Sequence, residues 1–342
     1  MLIIFIYLSV ISLSLIFIQS KYFILLDAPR DQAHKSSYNK NTPLTGGIYL
    51  FVALTIHIII SSYSSHSFLI ILFLFTFLTL GIFSDLKTNF SPKFRLLLQS
   101  ILVFFFIYFL DLKINKTGLF FLDYFINNNI FNLFFTSICI IILVNGSNFC
   151  DGVNCNVIGY YLIVSLGILF GEFSNPANFP DIKIITVIFF VFYLTNLFQK
   201  SFLGDNGVYV ISIYMAIYLI NFINVNSFVS PLLALNLLWY PAFENLFSII
   251  RRLNINKKID KADGFHFHTL LLKKIFAFNK NFIFSNSLTG IFLNFFMSIG
   301  IFLSISYYNN TKVLILILVI NIIFYVLIYF LFLSRKTKFK SH

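Results

Sequence analysis

The chain has 342 residues, of which 59% are hydrophobic and only 11% are charged, and its formal net charge is +12. This composition excludes an ordinary soluble domain, in which about a quarter of the residues are charged. A polytopic membrane protein is the class that fits.

Eleven apolar segments are candidates for membrane-spanning helices, since a span needs roughly 20 mostly apolar residues. In chain order they lie near residues 2–25, 44–63, 66–84, 94–110, 130–145, 157–171, 182–199, 207–223, 228–250, 284–307 and 311–334. No basic region precedes the first segment, so we expect a first span there and not a cleaved signal. The sequence thus predicts a single all-α integral membrane domain over residues 1–342, with about 11 transmembrane helices.

Lysine and arginine are divided unevenly between the two sides of this predicted domain. When the loops alternate from an outside N-terminus, 20 of the 24 basic residues fall on one side, and the other side has only Lys113, Lys116, Lys183 and Lys312. The positive-inside rule makes the richer side cytoplasmic. We therefore expect a periplasmic N-terminus, a cytoplasmic C-terminus and a multi-pass protein of a bacterial inner membrane. The surplus charge needs no nucleic acid as partner, because anionic headgroups and substrate phosphates are suitable neighbours.

Eight acids and three histidines fall on the same cytoplasmic side, although Lys and Arg alone set the orientation. They are Asp27, Asp31, Asp85, Asp151, Asp205, Glu244, Asp260, Asp263, His34, His266 and His268, whereas Asp111, Asp123, Glu172 and Asp181 lie in outer loops. Polar groups at a membrane boundary often mark a site, so the sequence predicts an active-site cleft on the cytoplasmic face. The alternative is that loops are polar anyway and acids accompany the bases there.

Two of these acids lie in polar motifs where predicted spans begin or end. Asp205 has glycines close by on both sides, which let a backbone approach a ligand. Asp151 follows Asn145 and Asn148 at the end of the fifth span. Carboxylates suit Mg²⁺, which takes oxygen ligands and keeps waters and substrate phosphates. The alternatives are helix caps for the aspartates and turns for the asparagines.

Other candidates have equally open alternatives. Asp85 ends the third span and could cap a loop. His266 and His268 are two residues apart, which suits an irregular loop that contacts a phosphate, or a surface pair without a role. Arg252 could bind phosphate through its guanidinium fork or serve as a membrane anchor. Lys40 could meet an anionic substrate or belong to an ordinary basic loop.

Six motifs in order carry a resemblance to a known family. They are Pro43–Gly47, Gly81–Leu86 with Pro92 and Arg95–Gln99, Asn145–Gly152, Phe202–Gly207, Pro241–Arg252 and Asp263–His268. Together they resemble the polyprenyl-phosphate N-acetylhexosamine-1-phosphate transferases (glycosyltransferase family 4), from Asp27 to about Leu272. The Leu-Gly-Asp and Pro-x-Phe-Glu pieces are most similar to the branch that initiates surface polysaccharides such as O-antigen.

The resemblance implies the transfer of N-acetylhexosamine 1-phosphate from a UDP-sugar to undecaprenyl phosphate, with release of UMP. It implies Mg²⁺, or Mn²⁺, as cofactor, and it makes a homodimer an expectation. By motif, Asp85, Asp151 and Asp205 would be catalytic, with Asp205 and Asp151 on the metal and Asp85 positioning or deprotonating the lipid phosphate. The substrate-binding set would be Lys40, Asn145, Asn148, Arg252, His266 and His268.

The chain departs from the family pattern at several positions. Ser84 precedes Asp85 where the family has a second acid, so a mechanism with two carboxylates at that point is not available. Thr269 follows the two histidines in place of a third, Asn154 to Asn156 replace a glycine-containing continuation, and the N-terminal basic element is reduced around His34. An active enzyme stays the expectation, because the other acids and both histidines are present.

Alternative functions follow from the same features. The triple-histidine run of the lipid I-forming phospho-N-acetylmuramoyl-pentapeptide transferases is absent, which favours the polysaccharide branch. A transporter would place acids near the middle of its spans, and a flippase would place key charges in outer loops. A catalytically silent homologue is a further alternative. The segment 251–283 is predicted to cover the sugar nucleotide, with an amphipathic helix near 268–277 whose Leu270, Leu271, Ile275 and Phe276 would face lipid.

Overall fold

The computed structural model describes residues 1–22, 25–27, 42–61, 65–86, 91–176, 179–254 and 264–334. Within these ranges it is built from helices and one short antiparallel strand pair, β1 (Leu26–Asp27) with β2 (Thr42–Pro43). The helices are α1 (Leu2–Tyr22), α2 (Gly46–Ser61), α3 (Ser65–Leu86), α4 (Pro92–Leu110), α5 (Phe120–Ile126), α6 (Asn129–Cys150), α7 (Asn156–Phe170), α8 (Ile182–Leu197), α9 (Gly204–Val225), α10 (Leu232–Leu237), α11 (Trp239–Asn254), α12 (Phe267–Asn279), α13 (Phe282–Ser306) and α14 (Thr311–Ser334).

Seven of the described helices are long and apolar enough to cross a membrane: α1, α3, α4, α6, α9, α13 and α14. Three shorter apolar helices, α2, α7 and α8, occupy predicted spans as well. The predicted span 228–250 is not one helix but the broken pair α10 and α11. The all-α membrane class is thus confirmed, whereas the count of eleven crossings and their orientation stay predictions.

Helix α9 lies at the centre of the bundle, and 72% of its 18-residue apolar segment is buried. It packs against α2, α3, α6 and α7. The first turn of α9 approaches α2 and α3 closely because both present glycines to it. A Cβ atom on Gly47 would lie 2.2 Å from Asn206 Oδ1, and one on Gly81 would lie 2.3 Å from Asn206 Cα. The glycines of the Pro43–Gly47 motif therefore allow close packing of α2 on α9.

In the broken pair α10 and α11, the second helix, α11, packs against α6. Pro241 lies in the first turn of α11, where the missing N–H of a proline costs no helical hydrogen bond. Its carbonyl oxygen meets α6 so closely that a Cβ on Gly146 would lie 2.0 Å from it. This contact holds the C-terminal half of α6 against α11.

Helix α12 matches the amphipathic helix predicted near 268–277, but its predicted lipid face is wrong in part. Leu270 and Leu271 are each only 6% exposed. They belong to the protein core, because α12 packs on α13 and α14 and these helices cover its apolar side. The exposed side carries Lys273 and Phe278 instead. The three cysteines are free, and Cys150 and Cys155 are buried, as expected for small apolar side chains.

Candidate active site

Asp205 lies in the first turn of α9 and accepts hydrogen bonds from three other helices. Its Oδ2 atom accepts from Ser84 Oγ of α3 at 2.5 Å and from Arg95 Nη1 of α4 at 2.9 Å. Its Oδ1 atom accepts from Asn148 Nδ2 of α6 at 2.8 Å. Oδ2 is then saturated, whereas one lone pair of Oδ1 is left for a further ligand. The side chain does not cap its own helix, so the capping alternative for Asp205 is wrong.

Asp85, at the end of α3, caps α9 instead. Its Oδ1 accepts from the backbone N–H of Asp205 at 3.0 Å, and its Oδ2 accepts from the N–H and side-chain amide of Asn206 at 3.1 Å and 2.6 Å. The first N–H groups of a helix have no partner within it, so this carboxylate supplies one. Gly204, with φ of +68°, makes the turn that brings the helix start to Asp85. Asp85 thereby fixes the backbone that carries Asp205.

A cavity of about 200 Å³ opens beside these residues. Its walls include three carboxylates, from Asp85, Asp151 and Asp205, and three amides, from Asn154, Asn196 and Asn286. None of the described residues that line it is basic. A diphosphate placed there would be repelled by the acids unless a cation lay between them.

The donors in this cavity fit Mg²⁺. That ion is commonly held by one or two carboxylates together with water and substrate phosphate oxygens. The open lone pair of Asp205 Oδ1 and the carboxylate of Asp151 supply such a pair, and Asn148 and Arg95 fix the first of them. The part of the chain that the structure describes has no cluster of three or more His, Cys, Asp and Glu side chains suited to a metal. The described residues therefore do not form a metal site whose ligands all come from such side chains.

The last turn of α6 connects this cavity to a second cluster. Asn148 reaches Asp205, whereas the next residue, Phe149, packs under the Arg252 guanidinium at 5.3 Å from its ring centroid. Gly152 lies against His268, and a Cβ there would be 1.9 Å from Nε2 of that ring. The second cluster therefore adjoins Gly152, which also lines the cavity.

This histidine cluster is buried and extensively hydrogen-bonded. His266 Nδ1 pairs with Glu244 Oε1 at 3.0 Å, and Arg252 Nη2 lies 3.3 Å from His266 Nε2. The two imidazoles stack with centroids 5.5 Å apart and planes 5° apart. His266 is extended and precedes α12 whereas His268 is in its first turn, so the rings are parallel and not on opposite sides. The surface-pair alternative is wrong, since His266 is 9% and His268 4% exposed.

Burial, and to a lesser extent the neighbouring His266, lower the pKa of His268 to about 3, against the opposing effect of Glu244. The folded protein thus keeps this ring neutral at a pH where the unfolded chain, with a histidine pKa near 6.5, takes up a proton. The contribution of His268 to the free energy of unfolding is complete above pH 6.5 and is lost as the pH falls from there towards 3.

Lowering the pH from 7.5 to 5.5 should therefore reduce the free energy of unfolding by on the order of 1 kcal/mol through His268 alone. Thermal unfolding of the detergent-solubilised wild type and of His268→Asn, measured at both pH values, would show it. The substituted protein should be less stable at both but should depend less on pH. Equal pH dependence in the two proteins would contradict this assignment.

The structure brings together most of the candidate residues, but not all of them. Asp85, Asp151 and Asp205 share the cavity, and Asn148 joins them through Asp205. Arg252, His266 and His268 form the adjoining cluster. They are not among the described residues that line the cavity. Asn145 is turned to α4, where its amide donates to Gln99 Oε1 at 3.0 Å, so it is not part of the cavity. Lys40, and Asp263 of the last motif, lie outside the described residues.

Sequence reasoning missed the roles of Ser84, Arg95 and Asn206. In the sequence Ser84 is distinguished only as a departure from the family pattern, yet its hydroxyl donates a hydrogen bond to Asp205. The helical spacing from Arg95 to Gln99 puts both on one face of α4, which could have indicated that this face meets polar partners. Nothing in the sequence indicated that Asp85 and Asn206 would bond to each other.

Comparison with known families agrees with this geometry. Residues 67–223 match the family model of glycosyl transferase family 4. This segment belongs to that family. Family 4 comprises polyprenyl-phosphate hexosamine-1-phosphate transferases, so the resemblance is confirmed over residues 67–223, and its extension from Asp27 to about Leu272 stays a prediction. No curated protein matches the chain. The family 4 segment contains all of Ser84, Asp85, Arg95, Asn148, Asp151 and Asp205, whereas Glu244, Arg252 and the histidines follow it.

Proposed function

We propose that the chain transfers N-acetylhexosamine 1-phosphate from a UDP-sugar to undecaprenyl phosphate on the cytoplasmic face of a bacterial inner membrane. The product would be the lipid-diphosphate sugar that initiates O-antigen or another envelope polysaccharide, and UMP would be released. The observation that supports this most is Asp205, held by residues of three other helices at a cavity with two further carboxylates inside a family 4 segment.

In this reaction an oxygen of the lipid phosphate attacks the β-phosphorus of the UDP-sugar. A new P–O bond forms, the bond from that phosphorus to the bridging oxygen breaks, and UMP leaves with the electron pair. Both reactants are anions, so the site has to align them and neutralise charge. Bound Mg²⁺ would supply positive charge to the diphosphate.

The chain's own residues have distinct parts in this proposal. Asp151 and Asp205 Oδ1 would hold the cation, and Asn148, Ser84 and Arg95 orient Asp205 through their hydrogen bonds. Asp85 is assigned to holding the start of α9, because both of its oxygens already accept N–H groups. A phosphate monoester has a second pKa near 6, so the lipid phosphate needs little help to lose its proton at neutral pH.

A second cavity suits the lipid substrate. It has a volume of about 350 Å³ and apolar walls from α6, α9 and the broken pair α10 and α11, including Leu143, Leu219 and Leu235. It lies along the half of α9 that is distant from Asp205, since Ala216, Leu219 and Ile223 line it. We assign it to part of the polyprenyl chain whose phosphate reaches Asp205.

An exchange assay in membranes that contain the chain tests the proposal. Undecaprenyl phosphate, Mg²⁺ and radiolabelled UDP-N-acetylglucosamine should give a labelled diphosphate lipid, which added UMP reverses and EDTA prevents. Product with another UDP-amino sugar only would correct the sugar. Absence of product with every UDP-amino sugar, from a protein shown to be folded, would contradict the proposed function and favour a catalytically silent homologue.

A further inference from the structure

The last helix, α14, contacts the histidine cluster through two phenols one helical turn apart. The Tyr325 hydroxyl donates a hydrogen bond to Glu244 Oε2, and the Tyr329 hydroxyl donates to the carbonyl of Phe265 at 3.1 Å. Tyr325 is fully buried, among the rings of Trp239, Tyr240 and other aromatic residues of α11 and α12. This helix lies beyond the family 4 segment 67–223, so nothing in the family match assigns it a role.

Glu244 connects Tyr325 to His266. Its carboxylate is 0% exposed, with Oε2 bonded to Tyr325, and Oε1 bonded to His266 Nδ1 at 3.0 Å and to Ser248 Oγ at 3.4 Å. A carboxylate removed from water is stable only when hydrogen bonds replace its hydration. Each donor to Glu244 therefore helps to keep it in one orientation.

The orientation of Glu244 determines which nitrogen of His266 carries the hydrogen. An arginine has no acceptor, so Arg252 Nη2, at 3.3 Å, can only donate to His266 Nε2. Nε2 must then be the acceptor, and Nδ1 carries the hydrogen that it donates to Glu244. Four side chains thus form a chain of bonds from α14 to Arg252, and Arg252 stacks on Phe149 beside Asn148.

We propose that Tyr325 is a positioning residue, which fixes Glu244 and through it the tautomer of His266 and the placement of the Arg252 guanidinium. The inference rests on the proposed function and on the role that the family resemblance implies for His266 and Arg252, which is to help bind the diphosphate of the UDP-sugar. Loss of the phenol hydroxyl leaves Glu244 Oε2 without this donor. The imidazole can then exchange tautomers or rotate, and Arg252 loses a fixed acceptor.

Tyr325→Phe keeps the ring and removes only the hydroxyl. We expect the KM for the UDP-sugar to rise about tenfold, the size of effect typical for one hydrogen bond to a charged group, with kcat changed less than about threefold. Tyr214→Phe is the matched control, because Tyr214 is equally buried and its hydroxyl has no hydrogen-bond partner among the described residues. That control should keep the wild-type KM.

A double-mutant cycle separates positioning from general damage to the fold. If Tyr325 acts through His266, Tyr325→Phe should not raise the KM further in a His266→Asn background. An unchanged KM in the single variant, or full additivity in the double variant, would overturn the proposal. Wild-type turnover in the same experiment shows separately whether the proposed function holds.

A measurement without turnover completes the test. In the ¹⁵N spectrum of histidine-labelled protein, the His266 signals are identified by their loss in His266→Asn. They should show a single tautomer with hydrogen on Nδ1 in the wild type and in Tyr214→Phe, and a mixture in Tyr325→Phe. The same single tautomer in Tyr325→Phe would refute the inference even if no UDP-sugar is turned over.

Discussion

Replacing Asp205 by asparagine should reduce the formation of lipid-diphosphate sugar by about 100- to 1,000-fold, the range typical for the loss of one charged or hydrogen-bonding group at a reacting centre. The amide keeps the shape of the carboxylate but removes the charge that would hold Mg²⁺. Its NH2 group would also face a donor, since Asn148 donates to one side of Asp205 and Ser84 and Arg95 donate to the other. The exchange assay with radiolabelled UDP-sugar measures the loss.

Asp111→Asn is the matched control for this prediction. Asp111 pairs with Lys113 at 2.8 Å and its side chain is 75% exposed, away from the cavity that contains Asp205. Exposed ion pairs contribute little, so turnover should be that of the wild type. Gel filtration of Asp205→Asn should show a folded protein. Turnover within about threefold of the wild type in folded Asp205→Asn would contradict the central role given to this carboxylate.

Replacing Gly81 by alanine should reduce turnover almost as much as Asp205→Asn does, although Gly81 has no side chain that could take part in the reaction. A Cβ there would lie 2.3 Å from Asn206 Cα, 2.6 Å from its nitrogen and 2.9 Å from the carbonyl carbon of Asp205. These are backbone atoms, so Gly81→Ala has to displace either the start of α9 or the part of α3 that contains Gly81. A shift of about 1 Å in a catalytic group can cost about 100-fold in rate, and we expect a loss of that size in turnover.

Gly167→Ala is the control for Gly81→Ala, because Gly167 is also a helical glycine in a helix–helix contact. Its Cβ would meet only side-chain atoms, Ile301 Cγ2 at 3.2 Å and Ile305 Cγ1 at 3.3 Å, which can move by a few tenths of an ångström. Both variants should unfold at lower temperature than the wild type, since overpacking costs about 1–3 kcal/mol. Only Gly81→Ala should lose turnover. Equal turnover in the two variants would contradict the proposed coupling of α3 to Asp205.

The candidate site was predictable from the sequence where motif residues line the cavity directly. Asp151 and Asp205 were found because carboxylates beside glycines at the ends of apolar segments are costly unless they are used. Asn145, in the same motif as Asn148, lies three residues earlier on α6, about 300° around a helix and one turn away. That difference is why one amide reaches Asp205 and the other faces Gln99.

The lipid-facing side predicted for α12 failed for a related reason. Leu270 and Leu271 have the pattern of an interfacial helix, but a pattern shows only which side is apolar. Whether lipid or protein covers that side depends on neighbours, here α13 and α14, which come later in the chain. The stacking of His266 on His268 was hidden for a similar reason, because sequence spacing gives the directions of two side chains only within one regular conformation, and the helix begins between these two residues.

By itself, the sequence determined the membrane class, the helical architecture and the family 4 segment, because apolar length and local motifs are properties of neighbouring residues. Only the tertiary structure decided which acid is held at the cavity by other helices and which acid caps a helix. Asp85 and Asp205 look alike in the sequence, but the N–H groups at the start of α9 lie within reach of one, and Ser84, Arg95 and Asn148 converge on the other. The link from Tyr325 to His266 was equally invisible, since their side chains, 59 positions apart, are joined through Glu244.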